Sequence, residues 1–92
     1  MRSVRLRIYG RVQGVGYRGW AIETAVRLGL RGWVRNRTDG TVEALVSGED
    51  ETVAAMVEAC REGPYAARVR EVAVYDAEGD DGSDGFRALP TG

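Results

Sequence analysis

Neither histidine nor lysine occurs in this chain of 92 residues, and each absence excludes a class of chemistry. Without histidine, metal sites built on histidine and cysteine are excluded, as are Ser-His and Cys-His nucleophile pairs. Without lysine, the chain can form neither a Schiff base nor a P-loop of the Walker type. Cys60 is the only cysteine, so no internal disulfide can form and we expect a cytoplasmic location.

The length predicts one small domain over residues 1–92, and we expect it to be a monomer. No apolar run is long enough to span a membrane, and no signal peptide opens the chain, so no membrane association is expected. Charge is divided along the sequence. Residues 1–37 contain nine arginines and one acid, a net charge of +8, whereas residues 38–92 contain four arginines and thirteen acids, a net charge of −9. This division favours a small anionic ligand in the first half and argues against nucleic acid as a partner.

The apolar pattern predicts alternating strands and helices. Residues 3–9 alternate as a half-buried strand, and residues 20–28 follow as a helix whose buried face is expected to hold Ile22, Ala25 and Val26. A second strand over 30–37, the turn Thr38-Asp39-Gly40 and a third strand over 42–46 form a hairpin. The second helix carries a core stripe that includes Cys60, and the fourth strand covers residues 67–76 with a bulge near Arg70.

These elements give the order βαββαβ, which is typical of the ferredoxin-like α+β sandwich. Both helices then lie on one face of an antiparallel sheet with strand order 4-1-3-2. Residues 77–85 are expected to form a loop, residues 86–89 allow a short fifth edge strand, and a loose tail follows. This topology brings the ends of strands one and two together, so that Arg18 and Asn36 lie side by side.

A glycine-rich stretch, GRVQGVGYR, joins the first strand to the first helix at Gly10–Arg18. Glycines let backbone N–H groups turn towards a ligand, and a helix N-terminus adds partial positive charge. Arg18 supplies a planar, permanently charged fork that suits phosphate. The stretch therefore predicts an anion cradle for a phosphoryl group, although a plain turn with a surface arginine is the alternative.

Two other motif interpretations fit less well. Gly14, Gly16 and Gly19 match G-x-G-x-x-G, with Asp39 twenty residues further on, but a dinucleotide-binding domain needs more strands than this chain has. An RNA-recognition module shares the predicted fold but needs aromatic side chains exposed on its central strands, where strand three has none and strand one offers only Tyr9.

The stretch Gly10–Arg18, together with GWVRN at Gly32–Asn36 and DGTVE at Asp39–Glu43, resembles the two signatures of the acylphosphatases. The resemblance extends to about residue 76. It implies a small ferredoxin-like hydrolase that cleaves the carboxyl-phosphate bond of acyl phosphates, with phosphate as product and inhibitor and with no metal or cofactor.

The resemblance also implies the site residues. Arg18 and Asn36 match the two catalytic positions, and the phosphate-binding loop matches the run Gln13, Gly14, Val15, Gly16, Tyr17 and Arg18. Tyr17 departs from the family's usual phenylalanine, so its hydroxyl needs a hydrogen-bond partner. Two alternatives stay open: a module that binds phosphate without turnover, and a carbamoyl-phosphate-handling domain cut from a larger enzyme.

Overall fold

The computed structural model of the protein describes residues 1–78 and 84–92. These described residues form seven elements: β1 (Arg2–Arg11), α1 (Tyr17–Arg27), β2 (Arg31–Asn36), β3 (Val42–Gly48), α2 (Asp50–Glu62), β4 (Arg68–Asp76) and β5 (Phe86–Ala88). The five strands form one sheet in the order β4-β1-β3-β2-β5. The predicted ferredoxin-like architecture, its 4-1-3-2 order and its fifth edge strand are therefore confirmed.

The core lies between the helices and the sheet face on which alternate strand residues point inward. In β1 this face carries Val4, Leu6 and Ile8, each with no exposed surface. The predicted stripe of α2 packs onto the same core through Val53, Met56, Val57 and Cys60. Both helices thus cover one face, and the other face of the sheet carries the charged residues of the same strands.

The bulge predicted near Arg70 is present where β4 pairs with β1. Tyr9 lies opposite Glu71 and Gly10 lies opposite Val69, so Arg70 is the extra residue on the bulged strand. A side chain on Gly10 would collide with the backbone carbonyl of Arg68, which explains why a glycine occupies this position of β1.

The first helix differs from its prediction at its start and on its buried face. It begins at Tyr17 rather than Trp20, because Gly16 adopts a left-handed conformation and its carbonyl accepts the Trp20 N–H at 3.1 Å. Val26, expected in the core, is 60% exposed, and Thr24 is buried instead. Burial of Thr24 is tolerated because its hydroxyl donates to the Trp20 carbonyl at 2.8 Å, a bond that hydrophobicity alone does not reveal.

The tail after Leu89 was predicted to be loose, and this prediction is wrong because Gly92 is hydrogen-bonded to the end of β2. Beyond β5, which pairs in parallel with β2, the chain continues along the same edge. The N–H of Leu89 donates to the Val34 carbonyl at 2.9 Å, and the N–H of Gly92 donates to the Asn36 carbonyl at 3.1 Å. The backbone groups at the edge of β2 bind the residues after β5, because a strand edge without a partner has unpaired hydrogen-bond donors and acceptors. The loop predicted at 77–85 lies mostly outside the described residues.

Candidate functional site

The glycine-rich loop leaves the end of β1 and turns into α1 through two left-handed glycines. Gly14 has a φ of 73° and Gly16 a φ of 81°, a region that side chains with a Cβ rarely adopt. An added Cβ would meet nothing within 4 Å at either position, so backbone conformation and not crowding requires the glycines. The loop geometry predicted from the sequence is therefore built on these two turns.

The N-terminus of α1 carries no compensating negative charge. Its N-cap residue is Gly16, no side chain among residues 1–78 and 84–92 caps it, and no acidic residue occurs in the first turn. The N–H groups of the first turn have no partner within the helix, and the helix dipole adds partial positive charge there. By contrast, α2 has Asp50 and Glu51 in its first turn. Of the two helices, α1 is thus the one whose partial positive charge at the N-terminus is not offset by acidic residues in the first turn.

Arg18 and Asn36 meet at one cavity, as the topology predicted. The cavity has a volume of about 240 Å³, and its wall contains the predicted site residues Gly14, Gly16, Tyr17, Arg18 and Asn36, together with Val12, Gly19, Ile22 and Ala88. Two predicted loop residues, Gln13 and Val15, do not line it. Val15 packs against the core, so backbone amides are what these two residues can offer to a ligand.

The carboxamide of Asn36 has an unusual environment. Its Oδ1 atom is buried and finds no hydrogen-bond partner among the described residues. A buried acceptor left without a donor costs about 1–3 kcal/mol, so native structures seldom retain one without a reason. Asn36 is at the same time one of the residues that line the cavity shared with Arg18.

The direction of Asn36 is fixed by its neighbours in β2. Arg35 and Arg37 point to the opposite face of the sheet, where both contact the Glu43 carboxylate at 2.9 and 3.2 Å. Glu43 is only 5% exposed and is also within 3.7 Å of Arg7. Because side chains alternate along a strand, anchoring these two arginines holds Asn36 towards the cavity.

Gln13 connects the loop to the hairpin that follows Asn36. Its Nε2 donates to the carbonyls of Arg37 and Thr41 at 2.8 and 2.9 Å. This side chain therefore joins the two parts of the site instead of pointing into the cavity. Sequence reasoning missed both the contacts of Gln13 and the anchoring by Glu43. The signal that could have indicated the role of Gln13 is that it is the one glutamine of the chain.

Tyr17 finds the partner that its hydroxyl requires. The hydroxyl donates to the Cys60 carbonyl in α2 at 2.7 Å, in a buried environment. In a longer helix this carbonyl would accept from residue 64, but the chain leaves the helix at Gly63 and residue 64 is proline, which has no N–H. Tyr17 thus supplies the missing donor, and burial raises the pKa of its hydroxyl well above the usual range.

Metal and thiol chemistry find little support in the described part of the chain. Among residues 1–78 and 84–92, no three histidine, cysteine, aspartate or glutamate side chains come close enough to hold a metal ion. Burial raises the pKa of the Cys60 thiol to about 11, so it stays protonated near neutral pH and is a packed residue, not a nucleophile. Within the same residues, no helix has the length and apolarity needed to cross a membrane.

Comparison with known proteins gives a consistent result. The family model for acylphosphatase matches residues 4–88. An acylphosphatase from Azorhizobium caulinodans is 53% identical over 97% of this chain and 96% of its own, and one from Rhodospirillum rubrum is 53% identical over 99% of both. The crystal structure of an acylphosphatase from Bacillus subtilis superposes with a TM-score of 0.92 at 35% identity, covering 97% of this chain and 99% of that one.

Proposed function

The chain belongs to the acylphosphatase family, and from that premise we propose how its cavity carries out the family's reaction. The protein is a hydrolase acting on acid anhydrides: it cleaves the carboxyl-phosphate bond of acyl phosphates and releases a carboxylate and inorganic phosphate. The assignment of individual residues, the attack of water on phosphorus and inhibition by the phosphate product are our proposals.

The phosphoryl group binds in the loop. Backbone N–H groups between Gln13 and Arg18 point at its oxygens, and the guanidinium of Arg18 pairs with them through two parallel hydrogen bonds. The uncapped, acid-free start of α1 supports this placement, because it leaves donors and positive charge uncompensated. As negative charge builds up on these oxygens in the transition state, the fixed donors stabilise it without reorganising.

Asn36 holds the water that attacks phosphorus. The observation that carries this proposal is that Asn36, whose Oδ1 atom has no hydrogen-bond partner among the described residues, lines the same cavity as Arg18. An amide oxygen can accept a hydrogen bond from water but cannot remove its proton as a strong base, so the contribution of Asn36 is orientation. A carboxylate is a good leaving group, and the reaction therefore does not require a histidine or another strong general acid.

The alternatives from the sequence are less well supported. A module that binds phosphate without turnover gives no reason for an unsatisfied amide oxygen beside the anion cradle. A carbamoyl-phosphate-handling domain of a larger enzyme is disfavoured because two acylphosphatases match this chain over 96% and 99% of their own length. We further propose that the domain 1–92 acts as a monomer in the cytoplasm; for the location, the support is the single buried cysteine.

Replacing Asn36 tests whether this residue orients the water while the loop and Arg18 bind the phosphoryl group. We expect Asn36→Ala to lower kcat for benzoyl phosphate by at least about 100-fold, a typical loss when a reactant is mispositioned, while inhibition by inorganic phosphate stays within a few-fold. Asn36→Asp should also be poor, because a carboxylate repels the phosphoryl oxygens. Thr38→Ala, at an exposed turn position of the same hairpin, is the matched control and should retain activity.

Two results would contradict this assignment. If Asn36→Ala kept a near-wild-type kcat, the residue would have no part in the reaction. If phosphate affinity and kcat fell together, Asn36 would be a phosphate-binding residue. Absence of any protein-dependent hydrolysis of benzoyl phosphate by the wild type would instead favour the binding module.

A further inference from the structure

One side of the cavity differs in character from the anion cradle. Three of the residues in its wall, Gly19, Ile22 and Ala88, carry no polar side chain, and we call them the apolar shelf. Gly19 and Ile22 lie one turn apart on α1 and therefore on the same face of that helix. Ala88 belongs to β5 and pairs with Val34, two residues before Asn36, so the shelf also borders the water position.

Gly19 has no conformational reason to be glycine. It lies within α1, and its φ is not in the left-handed region, unlike that of Gly14 and Gly16. A Cβ added at Gly19 would meet nothing within 4 Å, so packing does not exclude a side chain either. Gly19 is the third residue of α1, and glycine is less favourable than alanine at helical positions because it has more backbone freedom in the unfolded chain. The absence of a side chain at Gly19 does have one effect, which is to leave open space in the cavity.

An acyl phosphate has two parts that need different surroundings. Its phosphoryl group is charged and fits the cradle, whereas the carbon chain of the acyl group extends away from it and benefits from leaving water. The apolar shelf is the uncharged part of the same cavity and lies beside the cradle.

We propose that the apolar shelf is the acyl-binding subsite and that it takes bulky apolar acyl groups such as aryl groups, with Gly19 setting the permitted size. This inference rests on the proposed acyl phosphate hydrolysis. Contacts of the acyl group with the shelf are the same before and during attack of water, so they affect KM more than kcat.

Substituting Gly19 tests the subsite through substrate preference. We expect Gly19→Leu to lower the ratio of kcat/KM for benzoyl phosphate over acetyl phosphate by about 10-fold or more, mainly through KM, in line with the effect of a methylene group in an apolar pocket. The inhibition constant of inorganic phosphate should change less than the KM for benzoyl phosphate. Comparing each variant with wild type on the same substrate removes the difference in leaving-group reactivity.

Two further variants keep the test interpretable. Gly19→Ala should lower the same ratio in the same direction while raising the melting midpoint by roughly 2–8 °C, because alanine is the better helix former. Val26→Leu is the matched control: it adds bulk to an exposed position of α1 outside the cavity and should leave the ratio unchanged.

The outcomes separate the two proposals. If the wild type hydrolyses neither substrate, the hydrolysis itself is wrong. If it hydrolyses both and the ratio in Gly19→Leu stays within about two-fold of Val26→Leu, or rises, the shelf is not the acyl subsite. A fall in the ratio caused by kcat alone would also overturn it, since the contact would then act on the chemical step.

Discussion

The bond between the Tyr17 hydroxyl and the Cys60 carbonyl predicts a measurable loss of stability in Tyr17→Phe. The substitution keeps the ring and removes a 2.7 Å hydrogen bond between residues that are 2% and 1% exposed. The carbonyl left behind has no alternative donor in α2, because the helix ends at Gly63 and Pro64 lacks an N–H.

The magnitude follows from the cost of an unsatisfied buried acceptor. Such a group costs about 1–3 kcal/mol, which is the expected decrease in the free energy of unfolding. For a domain of this size, each kcal/mol shifts the melting midpoint by about 4–8 °C. The decrease should appear as a lower urea midpoint with an unchanged m-value, because the amount of surface buried on folding stays the same.

The matched control is Tyr65→Phe, which removes the same hydroxyl from a side chain that is 93% exposed. It should change the free energy of unfolding by less than about 0.5 kcal/mol. Urea titration followed by circular dichroism measures both variants without relying on Trp20, whose ring lies 5.3 Å from that of Tyr17. If the two variants lose the same stability, the capping role of Tyr17 is refuted.

The remaining predictions concern the site and the buried thiol. Arg18→Ala should reduce kcat by roughly 100- to 1,000-fold, because a hydrogen-bond donor to the transition state is lost, and it should abolish inhibition by phosphate. Arg27→Ala, in the last turn of α1, is the control. Activity should survive exhaustive EDTA treatment, and loss restored by a divalent ion would show that a metal takes part. Cys60 should resist alkylation at pH 8 until the protein unfolds. Folding raises the pKa of the Cys60 thiol from 9.0 to about 11, so the unfolded chain releases this proton at a lower pH than the folded protein does. The free energy of unfolding should therefore fall as the pH rises from 9.0 to about 11, and this thiol should have no such effect below pH 9.0. Denaturation at a series of pH values measures the change.

The sequence predicted the parts of the fold that local patterns encode. Strand alternation, the Asp39-Gly40 turn and the stripe of α2 each follow from a period or a turn residue, and the bulge at Arg70 showed as a shift in phase. Their order along the chain was enough to bring Arg18 and Asn36 to one cavity.

What the sequence could not predict depends on contacts between distant residues. The burial of Thr24 depends on a hydrogen bond to a backbone carbonyl, so an apolar pattern assigned Val26 to the core instead. The docking of residues 89–92 depends on free backbone groups of β2, which no side-chain pattern reports. The role of Gln13 was likewise hidden, because its partners are the carbonyls of Arg37 and Thr41, 24 and 28 positions away.

The bulge at Arg70 also affects how copies of the protein behave at high concentration. The sheet has two outer strands, β4 and β5, and either one could in principle recruit a strand from another molecule. The strand β5 is only three residues long, and β4 is interrupted by the bulge and carries exposed charge at Arg68, Arg70 and Glu71. A short edge and a bent, charged edge are poor templates for strand addition. The bulge at Arg70, where β4 passes close to Gly10, therefore also protects the protein against edge-to-edge aggregation.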